Sequence, residues 1–412
     1  MNTSYYITAC RICQNKKLTP FFDLGLHPLA NSLIKDLNKK EKFFPLCLCW
    51  CSVCKVVQLN YTVAPKILFS NYFWITGTSQ VAKDFSFKFY QKLVKRSGNS
   101  FKDFVLEIAS NDGTFLKPFI ENGYRVIGVD PAKNVVEIAK KNNIPTICGF
   151  WGKNFAIKFK KKYGSAQIIF ARNVLAHVSN VRDFIEGAIY CLSDDGILAV
   201  ETHYAGNILD GLHYDSIYHE HLFYFTLKSL EGLFNKFNLF IFDVESSPIS
   251  GGGVIVYAKK KKEVMSNNFK KYKDYELKNK INDLLNWERF AEYAFKHKKE
   301  LINLIKNVSN KENNLIGWGA SARSSTLLNF CKIDSKIIPV IADQNFLKHK
   351  HFTAGSHILI DSPDLVMKRN PNLVIILAWN FTKEIINILK NKYKYSGKYI
   401  IPLPNKPKIQ LK

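Results

Sequence analysis

From about residue 100 onward, short apolar runs alternate with amphipathic stretches. FVLEIAS, YRVIGVD, AQIIFARNV and GILAVETH read as buried strands. Strands covered on both faces lose their in–out alternation and become continuous apolar segments. Between them, NVVEIAKKNN and VRDFIEGAIYCL carry apolar positions at helical spacing. Alternation of this kind over 100–260 predicts a parallel sheet in an α/β layer fold. Residues 263–310 are polar, charged and helical in pattern, predicting one or two long helices. From 313 the alternation resumes with NLIGWGA, IIPVIAD, HILIDS, LVIILAW and YIIPLP. These runs predict a second, smaller parallel sheet. Residues 1–70 hold few periodic segments, and no internal repeat is visible beyond the likeness of the two α/β halves.

Length and composition narrow the class. At 412 residues the chain can bury two or three cores, and 47% hydrophobic residues mark a folded protein. No apolar run approaches the ~20 residues of a membrane helix. MNTSYYITACRIC shows no charged n-region before an apolar segment. A soluble, cytoplasmic protein without membrane contact is expected. The formal charge of +25, from 59 basic and 34 acidic residues, raises nucleic acid as a partner. The lysines are scattered, with short runs only at 160–162 and 259–262. They fit a compositional bias better than a basic face, so no nucleic-acid partner is expected.

Six of the nine cysteines lie within the first 54 residues. CRIC and CSVC supply Cys10, Cys13, Cys51 and Cys54, and two C-x-x-C pairs suit a tetrahedral zinc site. Cys47 and Cys49 compete for the second pair, but Cys51 and Cys54 repeat the two-residue spacing. Four protein ligands leave no open position, so the zinc would be structural.

Two strand-to-helix turns carry further chemistry. FVLEIASNDGTFL places Glu107, Ser110, Asn111, Asp112 and Gly113 after an apolar strand. The next strand ends in Asp130, placed to accept from ribose hydroxyls. A single glycine makes a poor pyrophosphate cradle. Polar side chains instead suit a nucleoside with an amino-acid tail, S-adenosylmethionine. FARNVLAHV adds Asn173 and His177 near the same sheet edge. The second turn, GWGASARSS, offers Gly317, Gly319, Ser321 and Arg323 at a helix start, an arrangement suited to phosphate. VIADQN follows, with Asp343 at the next strand end. Two nucleoside-type turns suggest that donor and acceptor each carry a nucleoside.

Together the paired cysteines followed by KVVQL, then EIASNDGTFL, NVLAHV, YHEHLFYF and GWGASARSSTLLNF, resemble the three-domain, S-adenosylmethionine-dependent sugar C-methyltransferases. That family acts on nucleotide-linked 4-keto-deoxysugars. The resemblance runs nearly end to end. It implies a small zinc-binding N-terminal domain (1–70), a class I methyltransferase, Rossmann-like middle domain (71–262), and linker helices with a Rossmann-like C-terminal domain holding the sugar nucleotide (263–412). It further implies His221 as general base, Tyr218 and Glu220 lining the same pocket, and Tyr72 in NYFWITGTS touching substrate. The acceptor would be a small nucleotide sugar and the enzyme a monomer. Ala109 departs from the glycine usual in such turns and would tighten the donor pocket. NYFWITGTS departs from the family's Tyr- and Ser-rich form and points to a different sugar.

The chemistry explains the residue types. A carbon beside a ketone becomes a nucleophile after losing a proton, and a neutral histidine suits that task. The oxyanion then needs a hydrogen-bond donor, for which Tyr218 and Tyr224 are candidates. H-E-H is not H-E-x-x-H, so His219 and His221 do not share a helix face. On a strand they would share one, which leaves a metal pair open. Methylation of an oxygen or nitrogen on a nucleotide sugar or other metabolite is the alternative reaction.

Overall fold

The computed structural model describes residues 3–69, 75–98, 104–248, 252–308 and 314–411. Three larger sheets and a two-stranded one, Tyr5–Tyr6 with Tyr61–Thr62, organise them. The middle sheet has seven strands in the spatial order 240–247, 253–259, 192–203, 166–172, 104–108, 125–130 and 146–148. Its five strands from 104 to 203 pair in parallel. Strand 253–259 runs antiparallel between 192–203 and 240–247. Every residue of Phe104–Ile108 is buried, which is why that strand reads as an unbroken apolar run. The predicted helices appear at Lys133–Lys141 and Val181–Cys191.

The C-terminal sheet is ordered 351–352, 359–361, 340–342, 315–318, 373–376, 398–401 and 408–410. It also has seven strands, so the expectation of a smaller sheet does not hold in strand number. The five inner strands are parallel, and antiparallel edges close both sides. Those edge strands are two and three residues long, too short for any pattern to announce. The long polar segment forms two helices, Asn267–Lys278 and Leu284–Val308.

The N-terminal region is a four-stranded sheet, an element that its sparse periodicity did not predict. Three strands are local: Leu18–Pro28, Phe43–Cys51 and Val57–Leu59. The fourth, Phe223–Tyr224, comes from the middle of the chain and pairs antiparallel with 57–59. Helix 284–308 packs against the first of these strands, where Phe22 meets Phe290 and Phe295 of that helix, and Phe330 of helix Ala322–Cys331, edge to face. One continuous apolar core therefore contains residues from all three sheets. No described helix is long and apolar enough to cross a membrane.

Candidate active site

The cysteine cluster forms on two turns of the N-terminal sheet. The Sγ atoms of Cys10, Cys13, Cys51 and Cys54 all lie within 4.8 Å of one another. Cys10 and Cys54 are 3.5 Å apart, and Cys13 and Cys51 are 3.4 Å apart. A tetrahedron with Zn–S bonds of about 2.3 Å has S–S edges near ~3.8 Å, so four thiolates this close fit zinc. Gln58 Nε2 donates to Cys10 Sγ at 3.2 Å, and Asn15 Nδ2 to Cys51 Sγ at 3.7 Å. Amide donors of this kind stabilise sulfur that carries charge. Cys47 and Cys49 lie earlier in the strand that ends at Cys51, outside the cluster.

The first glycine-bearing turn sits where the strand order of the middle sheet reverses, between 104–108 and 166–172. Ligands of open α/β sheets bind in the crevice at such a point. Ala109 and Asn111 adopt φ of 60° and 51°, in the left-handed region where such turns favour glycine, and Gly113 follows at 78°. A Cβ on Gly113 would come within 2.6 Å of Ile144, so this position requires glycine. Asp130 closes the turn by accepting from the Asn111 amide and the Ala132 amide, each at 2.9 Å. Asp112 accepts from the amide of Gly77 and the hydroxyl of Thr114. Asn111 Oδ1 accepts from the amide of Thr76. The end of NYFWITGTS is thereby clasped to the donor turn, whereas Tyr72 lies outside the described residues.

Two polar atoms of this turn, Glu107 Oε2 and Ser110 Oγ, are buried without a hydrogen-bond partner among the described residues. Burial drives the Glu107 carboxyl well above its usual range, opposed by Arg172. Burial also raises Asp130, with the two amides opposing it. Orphaned buried groups cost free energy unless a ligand satisfies them. A nucleoside with a charged amino-acid tail supplies partners of that kind. Asn173, at the end of strand 166–172, takes φ of 49° and donates from Nδ2 to Glu201 Oε1 at 3.3 Å.

Beyond the same sheet edge lies a cluster of imidazoles. His177 stands on a short 3-10 turn, His203 ends strand 192–203, and His221 lies in the YHEH segment. Ring centroids are 5.0 Å apart for His177 and His221, and 4.4 Å for His203 and His221. The Nδ1–H of His221 donates to the Ser216 carbonyl at 2.8 Å, because a carbonyl can only accept. That places the lone pair of neutral His221 on Nε2, where the Tyr218 hydroxyl donates at 2.8 Å. Burial holds His221 well below 6.5, helped by His203, His177 and Arg323. His177 and His203 are likewise lowered by burial, to about 4 and about 3. At neutral pH all three rings are uncharged. Among the described residues no metal-ligating group other than the four cysteines forms, so the histidines are not placed around a common ion.

The rest of YHEHLFYF is held by its neighbours. His219 Nε2–H donates to the Phe44 carbonyl at 3.2 Å. Glu220 Oε1 accepts from Asn31 Nδ2 at 2.6 Å, and burial raises the carboxyl to about 7. Tyr224 is buried in the strand paired with Val57. Burial raises its hydroxyl well above the usual range.

The C-terminal turn behaves differently from expectation. Gly319, at φ 93°, lets Ala378 approach, since a Cβ there would sit 2.4 Å from the Ala378 Cβ. Gly317 similarly makes room for Ile341 and Leu377. Ser321 Oγ caps its own helix by accepting from the Ser324 amide. Arg323 donates to both oxygens of Asp215, at 3.0 and 2.7 Å, and its guanidinium lies over Trp379, 4.6 Å from the ring centre. Trp379 Nε1 donates to the same carboxylate at 2.7 Å. Arg323 is thus already paired with a carboxylate, and Asp343 accepts from the Ala320 amide and the Lys348 ammonium. His203, Asp215 and Asn31 were not anticipated. The position of His203 at the C-terminal end of a parallel strand is a signal that could have marked it.

The chain matches three family profiles in order. These are "Putative zinc binding domain" over 10–69, "Methyltransferase domain" over 82–243, and "C-methyltransferase C-terminal domain" over 248–404. It is 28% identical to C-methyltransferase NovU from Streptomyces niveus, over 97% of this chain and 96% of that one. Among solved structures it is similar to a SAM-dependent methyltransferase from Anabaena variabilis, at 20% identity. That match covers 38% of this chain and 76% of that one, with a TM-score of 0.31. The plantazolicin methyltransferase BpumL in complex with SAH is 15% identical, over 44% of this chain and 85% of that one, with a TM-score of 0.36. Likenesses that loose carry no argument. The full-length relative and the three ordered matches do: the chain is a methyltransferase with a four-cysteine cluster that fits zinc in its N-terminal domain, followed by a region that matches a C-methyltransferase C-terminal domain.

Proposed function

We propose that this methyltransferase acts on a nucleotide-linked 4-keto-deoxysugar, at the carbon beside the ketone (C3), with His221 as the base. One observation carries the reading. The His221 ring is tied through Nδ1–H to the Ser216 carbonyl and turns its basic Nε2 toward Tyr218. Burial keeps the ring neutral, so Nε2 carries a lone pair and not a proton at working pH.

In this reading His221 Nε2 accepts the proton from the carbon next to the ketone. Its Nδ1–H bond to Ser216 stabilises the imidazolium that forms. The Tyr218 hydroxyl, 2.8 Å from Nε2, turns to donate to the oxyanion. His177 and His203, both partly exposed, would border the acceptor beside His221. The donor turn, with Glu107, Ser110, Asn111, Asp112, Gly113, Asp130 and Asn173, is the part of the chain suited to S-adenosylmethionine, which supplies an electrophilic methyl group. The nucleotide would lie toward the C-terminal crevice, along the turn of Gly319, Ser321 and Arg323, with the Arg323 charge held by Asp215 and so not free to pair with a phosphate.

The test is the product. Incubation with methyl-labelled S-adenosylmethionine and a panel of dTDP-, GDP- and CDP-linked 4-keto sugars should give a sugar with a new C–CH3 bond, read by NMR. A methyl group released by ether cleavage would instead establish O-methylation and overturn the enolate route.

A further inference from the structure

The segment that carries His221 is completed by the zinc-binding domain. Phe223 and Tyr224 add a strand to its sheet opposite Gln58 and Val57. The Leu59 amide donates to the Leu222 carbonyl at 3.0 Å. Gln58, facing Phe223 in this ladder, donates its side-chain amide to Cys10 Sγ. The seat of the segment thus extends directly to a zinc ligand.

One side chain reaches further. Asn31 lies beyond the end of strand Leu18–Pro28 and three residues before Ile34, whose amide and carbonyl both bond Phe352 of the C-terminal sheet. A little further on, Glu41 accepts from the Gly355 amide. The stretch bearing Asn31 is therefore fixed at both ends. From it Nδ2 donates to Glu220 Oε1 at 2.6 Å. Glu220 is 5% exposed, whereas Asn31 is exposed. Glu220 Oε2 has no partner among the described residues.

We propose that Asn31 is a positioning residue for methyl transfer, holding one oxygen of Glu220 so that the other is left to receive a hydroxyl group of the acceptor. The proposal rests on YHEH being the reactive segment. A charge-assisted bond from a neutral amide favours the carboxylate over the acid, so Asn31 also sets the ionisation of Glu220. Without Asn31 the buried carboxyl would hold its proton to higher pH and would donate a hydrogen bond where acceptance is required.

The experiment compares full-length wild type with Asn31→Ala and with the isosteric Asn31→Asp. Zinc content and calorimetric binding of S-adenosylmethionine first report whether each variant is intact. Protein labelled with [5-13C]glutamate then gives the Glu220 titration, assigned by its loss in Glu220→Gln. The expected result is a midpoint higher by about one pH unit in Asn31→Ala, and higher again in Asn31→Asp, with donor affinity unchanged. With a keto sugar that wild type methylates, kcat should fall at least tenfold and its pH profile should move the same way. The double variant with Glu220→Gln should lose no more than Glu220→Gln alone. An unshifted Glu220 midpoint, or an unshifted profile, overturns the role given to Asn31. If wild type methylates no sugar in the panel, the acceptor reading fails while the titration still decides the contact.

Discussion

Asp215 offers a quantitative test of how the segment leading into YHEH is pinned to the C-terminal domain. Its carboxylate is 1% exposed and accepts three hydrogen bonds, two from Arg323 and one from Trp379. Truncating one member of a buried ion pair leaves the other charge uncompensated, at a cost of about 3–5 kcal/mol. Unfolding entropy near ~2.1 cal/mol/K per residue, over 412 residues, gives about 0.9 kcal/mol per degree. Asp215→Ala should therefore lower the thermal midpoint by about 3–6 °C if the chain melts as one unit. Arg323→Ala should also destabilise, by freeing the carboxylate. The double variant should be less destabilised than the sum of the two, because removing both charges leaves neither stranded. Differential scanning calorimetry on the four proteins measures this directly. Additive losses, or a single truncation costing under about 1 kcal/mol, would refute the claim that this pair is buried and coupled.

Two more outcomes follow from the site. Burial lowers His27, His177, His213 and His219 to about 4, His203 to about 3, and His221 below its ordinary value. A histidine whose folded pKa is depressed binds its proton more readily in the unfolded chain. Stability is then full above about 6.5 and lost as pH falls toward 4. The calorimetric midpoint should drop steeply between pH 6.5 and pH 5, and a flat profile would contradict the burial of these rings. Gly113→Ala forces a side chain into φ of 78° against Ile144, and should cost about 1–3 kcal/mol and weaken donor binding in calorimetry.

Much of the two α/β sheets was legible because their inner strands are buried on both faces, as in Phe104–Ile108 and Leu373–Ile376. The N-terminal sheet was not. Its long strands break register between Pro20 and Phe22 and between Asp23 and Leu26, which disrupts any period-two pattern. Its fourth strand, moreover, comes from residues 223–224. The antiparallel strands 240–247 and 253–259 also escaped prediction. The four zinc ligands followed from spacing alone, because each C-x-x-C turn is local. The partners of the segment around YHEH did not. Asn31, His203 and Arg323 come from three different sheets or their flanks, and only docking of those sheets brings them to residues 215–221. Arg323 shows the limit of a motif: its position suited a phosphate, but its charge is held by Asp215.

The most direct measurement replaces His221 by alanine and compares two quantities. S-adenosylmethionine affinity should remain within about twofold of wild type, because the donor turn does not use this ring. Methyl transfer to carbon should fall by about 10²–10⁴-fold, the share supplied by a positioned base. Transfer at the wild-type rate in His221→Ala would contradict the account.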